Sequence, residues 1–256
     1  MEISHHEVEV MGTVVTFDLF DDRGFFQGAL DVAFADAARY LERMDELFST
    51  WKSDSAMSRL RRGDLALEDA PEEIAEVFER CRRARVLSAG WFNPWSAPGG
   101  VDPTGLVKGW AAQGALALLE RLGAHGAIVN AAGDIAVSGR PDSESPFQVG
   151  IVNPFDTTRL ACVVGVRGAL ATSGDYERGA HLFNPFTGQF TTSCASASVT
   201  GLDLGLADAL ATALVVGGRD VLNVIEAIDG YEALMIERDG SWAATSDFAL
   251  ESDVTL

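Results

Sequence analysis

Positive charge is what this chain has least of. Nineteen Lys and Arg stand against 38 Asp and Glu, for a formal net charge of −19. No basic stripe is present that could neutralise a phosphate backbone, which argues against nucleic-acid binding. A phosphorylated ligand stays open, because one divalent cation reverses the local sign of a site. Cysteine is also scarce. Cys81, Cys162 and Cys194 form no CxxC pair and leave one over from any single bridge, which suits a reducing compartment and gives no zinc signature. Long hydrophobic runs are missing, so no membrane helix or anchor is expected. The start, Met1-Glu2-Ile3-Ser4-His5-His6-Glu7, has neither a basic nor an apolar signal region. The expected location is the cytoplasm. Repeats, low-complexity tracts and a convincing interdomain linker are absent too, so one domain over residues 1–256 is expected.

What remains is an ordinary globular composition, 47% apolar and 22% charged. Val8 to Phe20 reads as strand, with Met11-Gly12-Thr13 inside it. Apolar spacing predicts helices over Gly28–Phe48, Pro71–Leu87 (stopped by Gly90), Leu106–Leu122 (stopped by Gly123), Leu206–Val216 and Val221–Ile228. Short strands are predicted around Ala127–Asn130, Ile135–Ser138, Phe147–Val152, Cys162–Arg167, His181–Phe183, Ser196–Thr200 and Tyr231–Ile236. Trp91 to Gly105 is a Pro/Gly-rich loop of functional length. Helices and strands interleave without a repeated βα unit, which indicates α+β.

Asp208 and Thr212 are four apart on a predicted helix, so they share a face. A carboxylate and a hydroxyl are hard oxygen donors suited to Mg²⁺. From spacing alone the pair reads first as a dipole-favoured Asp and a Thr bonded back to its own helix. The run Val101-Asp102-Pro103-Thr104-Gly105-Leu106-Val107-Lys108-Gly109 closes the loop and opens a helix, whose free N–H groups can bind an anion. Lys108 in a first turn opposes the helix dipole unless it faces something negative. The Walker spacing is absent. Asn130-Ala131-Ala132-Gly133-Asp134 and Ala171-Thr172-Ser173-Gly174-Asp175-Tyr176 are small and polar. Each permits close approach of a ligand to the backbone, or is simply a tight turn. His181, one of four histidines, is either a base or a satisfied structural group.

In their order along the chain these segments resemble the ApbE family of FAD:protein FMN transferases. The resemblance rests on eight blocks: Met11–Thr13, Leu47–Trp51 with Ser55–Leu60, Asp102–Gly109, Asn130–Ile135, Gly150–Pro154, Ala171–Tyr176, His181–Gly188 and Ala207–Leu214. It implies an α+β, ApbE-like and T-fold-related domain of mixed or antiparallel strands with flanking helices. It also implies a Mg²⁺ ion held by Asp208, Thr212 and a carbonyl near Gly105. Met11, Trp51, Asp102 and Lys108 would lie along the FAD, as would the turns holding Asn130, Gly133 and Asp134 and holding Thr172, Ser173 and Gly174. His181 matches the family's histidine and would serve as base. The implied reaction moves FMN from FAD to a Thr or Ser hydroxyl of an acceptor protein bearing an Asp-x-x-Ser/Thr-Gly-Ala-Thr-like sequence, with release of AMP.

The chain departs from the family pattern at several positions. The FDPT-like loop reads Phe92-Asn93-Pro94-Trp95, the IIDP run reads Leu182-Phe183-Asn184-Pro185, Arg61 replaces a usual asparagine, and the GG before Asp134 is Ala132-Gly133. Two alternatives therefore accompany the transferase reading: an FAD pyrophosphatase yielding FMN and AMP, and a non-catalytic FAD-binding protein. Many relatives are exported lipoproteins, whose signal is not seen here, so a cytosolic acceptor is expected.

Overall fold

A computed structural model describes residues 2–21, 27–140, 145–174 and 182–256, without the side chain of Gln27. Two strands open the chain, β1 (Glu2–Val10) and β2 (Thr13–Asp21), followed by helices α1 (Gln27–Phe48), α2 (Ala56–Arg62), α3 (Glu72–Leu87) and α4 (Thr104–Leu119). Next come β3 (Gly126–Ala131), β4 (Asp134–Gly139), β5 (Phe147–Asn153), β6 (Asp156–Val166), β7 (Ala169–Gly174), β8 (Phe183–Asn184), β9 (Gln189–Phe190) and β10 (Ser196–Gly201). Helices α5 (Leu204–Gly217) and α6 (Arg219–Ile225) and strands β11 (Glu232–Ile236) and β12 (Trp242–Ala244) complete it. Eight strands form one sheet in the order β1-β2-β3-β4-β7-β10-β11-β12, each pair antiparallel. The expected α+β class is what the chain adopts.

The sheet is covered on both faces, and the period-two alternation of its strands assigns the side chains. On one face Ala136, Ala169, Ala171, Ala197 and Ala233 join the core built with the helices. Their small side chains let α5 lie close to β7 and β10. On the other face Ile135, Val137, Leu170 and Leu234 meet Phe147, Ile151, Cys162, Val164 and Val166 of the β5–β6 ribbon. Helix α5 is apolar nearly all round, as a helix enclosed on every side must be, and Asp208 is its one charged residue. Among the described residues no helix is long and apolar enough to cross a membrane.

Several expectations are corrected. Met11-Gly12 is not inside a strand but is the two-residue turn between β1 and β2, with φ of 56° and 73°. Such left-handed angles at both positions suit the tight hairpin turn that matches strand twist. Thr172–Gly174 is not a turn but the end of β7, paired with Ser196–Ser198 of β10. Helix α4 begins at Thr104, so Lys108 is its fifth residue. Helix α2 and strand β12 were not foreseen. The predicted strand at His181–Phe183 reduces to β8, and His181 lies outside the described residues.

Candidate active site

One end of the sheet gathers most of the predicted site residues. The β1–β2 turn at Met11-Gly12 and the β3–β4 turn at Ala132-Gly133 stand side by side there, because Val15 pairs with Ala131. The end of β7 and the start of β10 reach the same edge through the pairing of Gly174 with Ser196. The 130–134 segment is the tight turn its composition allowed. Ala132 and Gly133 have φ of 52° and 90°, and Asn130 Oδ1 accepts the Gly133 N–H at 2.8 Å. Thr172 is tied down from both sides: its N–H donates to Asp134 Oδ1 at 3.2 Å, and its hydroxyl lies 2.8 Å from Ser198 Oγ.

Asp134 is 1% exposed. Lys108 Nζ stands 2.8 Å from its Oδ2, as an ion pair. Burial pushes the Asp134 carboxyl up, and the neighbouring ammonium and the Thr172 amide oppose that rise. The something negative that Lys108 was expected to face is therefore, in the protein itself, Asp134. This pair fixes the start of α4 over the β3–β4 turn.

Helices α4 and α5 run antiparallel, and four residues mark their contact at the site. Gly105 and Gly109 lie one turn apart on α4, as Asp208 and Thr212 do on α5. A Cβ on Gly105 would stand 3.0 Å from Thr212 Oγ1, and one on Gly109 would stand 2.5 Å from the Leu204 carbonyl oxygen. Glycine is what permits that approach. At Gly105 the backbone leaves helical geometry, with ψ of 19°. The Gly109 N–H, which in an unbroken helix would point at the Gly105 carbonyl, donates to Asp208 Oδ2 at 3.3 Å. Asp208 is 4% exposed and Thr212 half-buried. The three expected metal donors are thus neighbours, all of them hard oxygens of the kind Mg²⁺ takes alongside water and phosphate oxygens. Among the described residues no group of three or more His, Cys, Asp or Glu gathers.

The helix start is less open to an anion than its sequence promised. Thr104 N–H and hydroxyl both donate to Asp102 Oδ1, at 3.1 and 2.7 Å, while the Leu106 and Val107 amides bond to Pro103 O. Asp102 therefore takes up the Thr104 amide from just ahead of Pro103, the N-cap residue, whose own side chain bonds nothing. Arg61, the departure in the serine-rich block, bonds the carbonyls of Gly99 and Pro98 at 3.1 Å each and stands 3.7 Å from Asp102 Oδ2. It fastens the 98–102 loop to α2, a role its sequence position did not suggest. Ser55 caps α2 through the Ser58 N–H and bonds Ser49 O, which folds the segment carrying Trp51. Trp51 itself is 92% exposed. Asn184 Oδ1 accepts the Phe186 and Thr187 amides at 2.9 and 3.1 Å, bonds an aspartate would make equally well. The change at that position leaves the local turn intact. Asn93 Oδ1 is buried without a hydrogen-bond donor among the described residues.

The cysteines take no part. All three are buried, and burial pushes the Cys81 and Cys162 thiols up to about 12 and about 11, which keeps them protonated and unreactive.

The family model that matches residues 11–100 and 95–235 describes the ApbE family. A Rhodobacter capsulatus protein named FAD:protein FMN transferase is 35% identical over 157 residues, which are 57% of this chain and 30% of that protein. A Haemophilus influenzae protein of the same name is 30% identical over 164 residues, 59% of this chain and 47% of that one. The matched stretches thus span less than half of either relative's length. The structure of the flavin transferase ApbE from Vibrio cholerae superposes with a TM-score of 0.82 at 22% identity, over 96% of this chain and 98% of that one. The apo flavinyl transferase ApbE of Pseudomonas stutzeri does so with a TM-score of 0.79 at 21% identity, over 96% and 95%. These two likenesses carry the fold. With the family model running through most of its length, the chain belongs to the ApbE family.

Proposed function

We propose that the chain is a Mg²⁺-dependent FAD:protein FMN transferase, acting on a Thr or Ser hydroxyl of an acceptor protein and releasing AMP. The observation that carries this reading is the meeting of the Gly105 backbone, Asp208 and Thr212 at the end of the sheet where Lys108 and Asp134 also lie. Supporting it are the names of the two curated relatives. The fold's net charge of −19 would repel a bare diphosphate, so a cation between the helices is the natural bridge.

When bound, Mg²⁺ would draw negative charge from the diphosphate oxygens of FAD. The residues of the chain do the rest. Asp208 and Thr212 would hold the cation from α5, and the Gly105 carbonyl would complete the protein's share of the donors. The turns at Met11-Gly12 and Ala132-Gly133 and the end of β7 offer a small-residue floor to the cofactor, with Trp51 free to cover a ring. Lys108, oriented by Asp134, faces the same edge. The acceptor oxygen attacks the phosphorus of the FMN half, the bond to the bridging oxygen breaks, and AMP leaves with that oxygen. The hydroxyl proton passes to a base, the role we assign to His181. The reaction belongs to the cytoplasm in this reading, in keeping with three buried cysteines and no disulfide.

The test is incubation with FAD, Mg²⁺ and a protein bearing the acceptor sequence. Flavin that stays on the acceptor after denaturation, with AMP formed in equal amount, supports the transferase. AMP and free FMN without an acceptor would indicate the pyrophosphatase, and tight FAD binding with neither product the non-catalytic alternative.

A further inference from the structure

Four of the nineteen basic residues fall within six positions, Arg80, Arg82, Arg83 and Arg85 on α3. Arg80 is committed to Glu76 and Asp203, each at 2.9 Å. Arg82 and Arg85 point elsewhere: with Val86, Ala89 and Gly90 they line an open cavity of about 480 Å³. Arg82 stands 6.0 Å from the Trp95 ring and 2.9 Å from Glu79, an exposed i,i+3 pair of the kind that contributes little. Arg85 sits in the last turn of α3 and has no ion-pair partner among the described residues. Val86 is 79% exposed and Phe186 62% exposed, large apolar side chains flanking these cations. Phe186 comes up beside Gly90 and lies 4.7 Å from the Trp91 ring.

The patch connects to the candidate active site through the short chain from Gly90 to the buried Phe92 ring. Gly90 lines the cavity, and two residues on the Phe92 ring would lie 3.4 Å from a Cβ on Gly105, whose other neighbour is Thr212. A macromolecule seated over α3 and the Phe186 tip is thereby held on the side of the fold where Phe92 backs Gly105 and Thr212. On a chain of net charge −19 most of the surface repels an acidic partner, so two cations beside exposed apolar groups would orient its approach. Arginine beside an exposed aromatic is also a composition enriched at protein interfaces.

We propose that Arg82, Arg85, Val86 and Phe186 form the docking surface for the acceptor protein, which presents an acidic segment with an apolar residue beside its modified hydroxyl. This inference rests on the transferase reading. The probe is a carrier domain with the acceptor sequence grafted onto an exposed loop, made in two versions that differ only in a flank of glutamates or of lysines. Each is titrated against the wild type and against Arg82→Glu/Arg85→Glu, with FAD affinity followed by flavin fluorescence.

The wild type is expected to give the Glu-flanked carrier the lower KM. The double variant is expected to raise that KM by about tenfold, leaving kcat, FAD affinity and the melting profile nearly unchanged. Equal KM values for the two carriers with the wild type, or an unchanged KM in the variant, would overturn the docking surface while leaving the transferase standing. A wild type that labels neither carrier overturns both. Pelleting with phosphatidylserine vesicles that the variant abolishes, at unchanged carrier KM, would assign the patch to a membrane surface and overturn the proposal as well.

Discussion

Lys108 Nζ lies 2.8 Å from Asp134 Oδ2, and the carboxylate is almost entirely buried. Breaking such a pair from one side leaves an uncompensated charge in a low-dielectric site. Lys108→Met is therefore expected to lower stability at pH 7 by about 3–5 kcal/mol, nearer the lower figure because the ammonium is partly exposed. The folded pKa of Asp134 is raised by burial. The fold then holds a proton that the unfolded chain releases, so this carboxyl favours the fold below its unfolded range and the benefit is lost as pH rises through its folded value. Losing Lys108 moves that folded value further up. Urea midpoints for wild type and variant should converge as pH falls toward the unfolded carboxylate range; a gap that stays constant with pH would contradict the pair's role.

Gly109→Ala and Gly105→Ala separate packing from ligation. Alanine is favoured over glycine inside a helix by about 1 kcal/mol. At 109 the new Cβ meets the Leu204 carbonyl oxygen at 2.5 Å, a backbone atom that cannot swing aside. Overpacking of that kind costs about 1–3 kcal/mol or more, so the clash wins and the melting temperature falls. At 105 the contact is with Thr212 Oγ1 at 3.0 Å, a side chain able to rotate. That variant should melt close to the wild type yet need roughly tenfold more Mg²⁺, the scale seen when groups around a metal are disturbed. Magnesium titration of FAD turnover and a thermal melt read the two apart.

How much of this was legible in the residues varies by element. The long helices showed themselves through apolar spacing, and Asp208 with Thr212 through its i,i+4 interval. What the interval could not reveal is that Gly109 exists for the Leu204 backbone, because a close approach is a property of two helices and not of one. Strand β7 was hidden for a similar reason. Ala171-Thr172-Ser173-Gly174 is poor in strand-formers, and its extended state comes from lying between β4 and β10. The Met11-Gly12 turn was hidden by a positive φ at a methionine, within a Val/Thr/Phe-rich run that read as one strand. Arg61 could be recognised only as a departure, until the loop it fastens was seen.

Trp51 is so exposed that its removal should leave stability within about 0.5 kcal/mol of wild type. If it covers a flavin or adenine ring, Trp51→Ala loses about 0.5–1.5 kcal/mol of stacking and weakens FAD binding by roughly twofold to tenfold. Flavin fluorescence titration measures this. An unchanged affinity would remove Trp51 from the cofactor site.

His181→Ala is expected to keep FAD affinity and slow transfer by on the order of 10²–10⁴-fold, the usual contribution of a general base. Single-turnover rates with acceptor in excess report it. Kinetics identical to wild type would move the proton to another group.

Asp208 stands at the centre of the account, and Asp208→Asn is its sharpest probe because the amide oxygen can still accept the Gly109 N–H that the carboxylate accepts now. The measurement is the intact mass of the acceptor after incubation with FAD across a Mg²⁺ titration, for wild type and Asp208→Asn side by side. Covalent FMN should rise with Mg²⁺ in the wild type and be missing with a variant that melts like it. Equal FMN attachment by both proteins, or attachment by the wild type without any divalent cation, would contradict it.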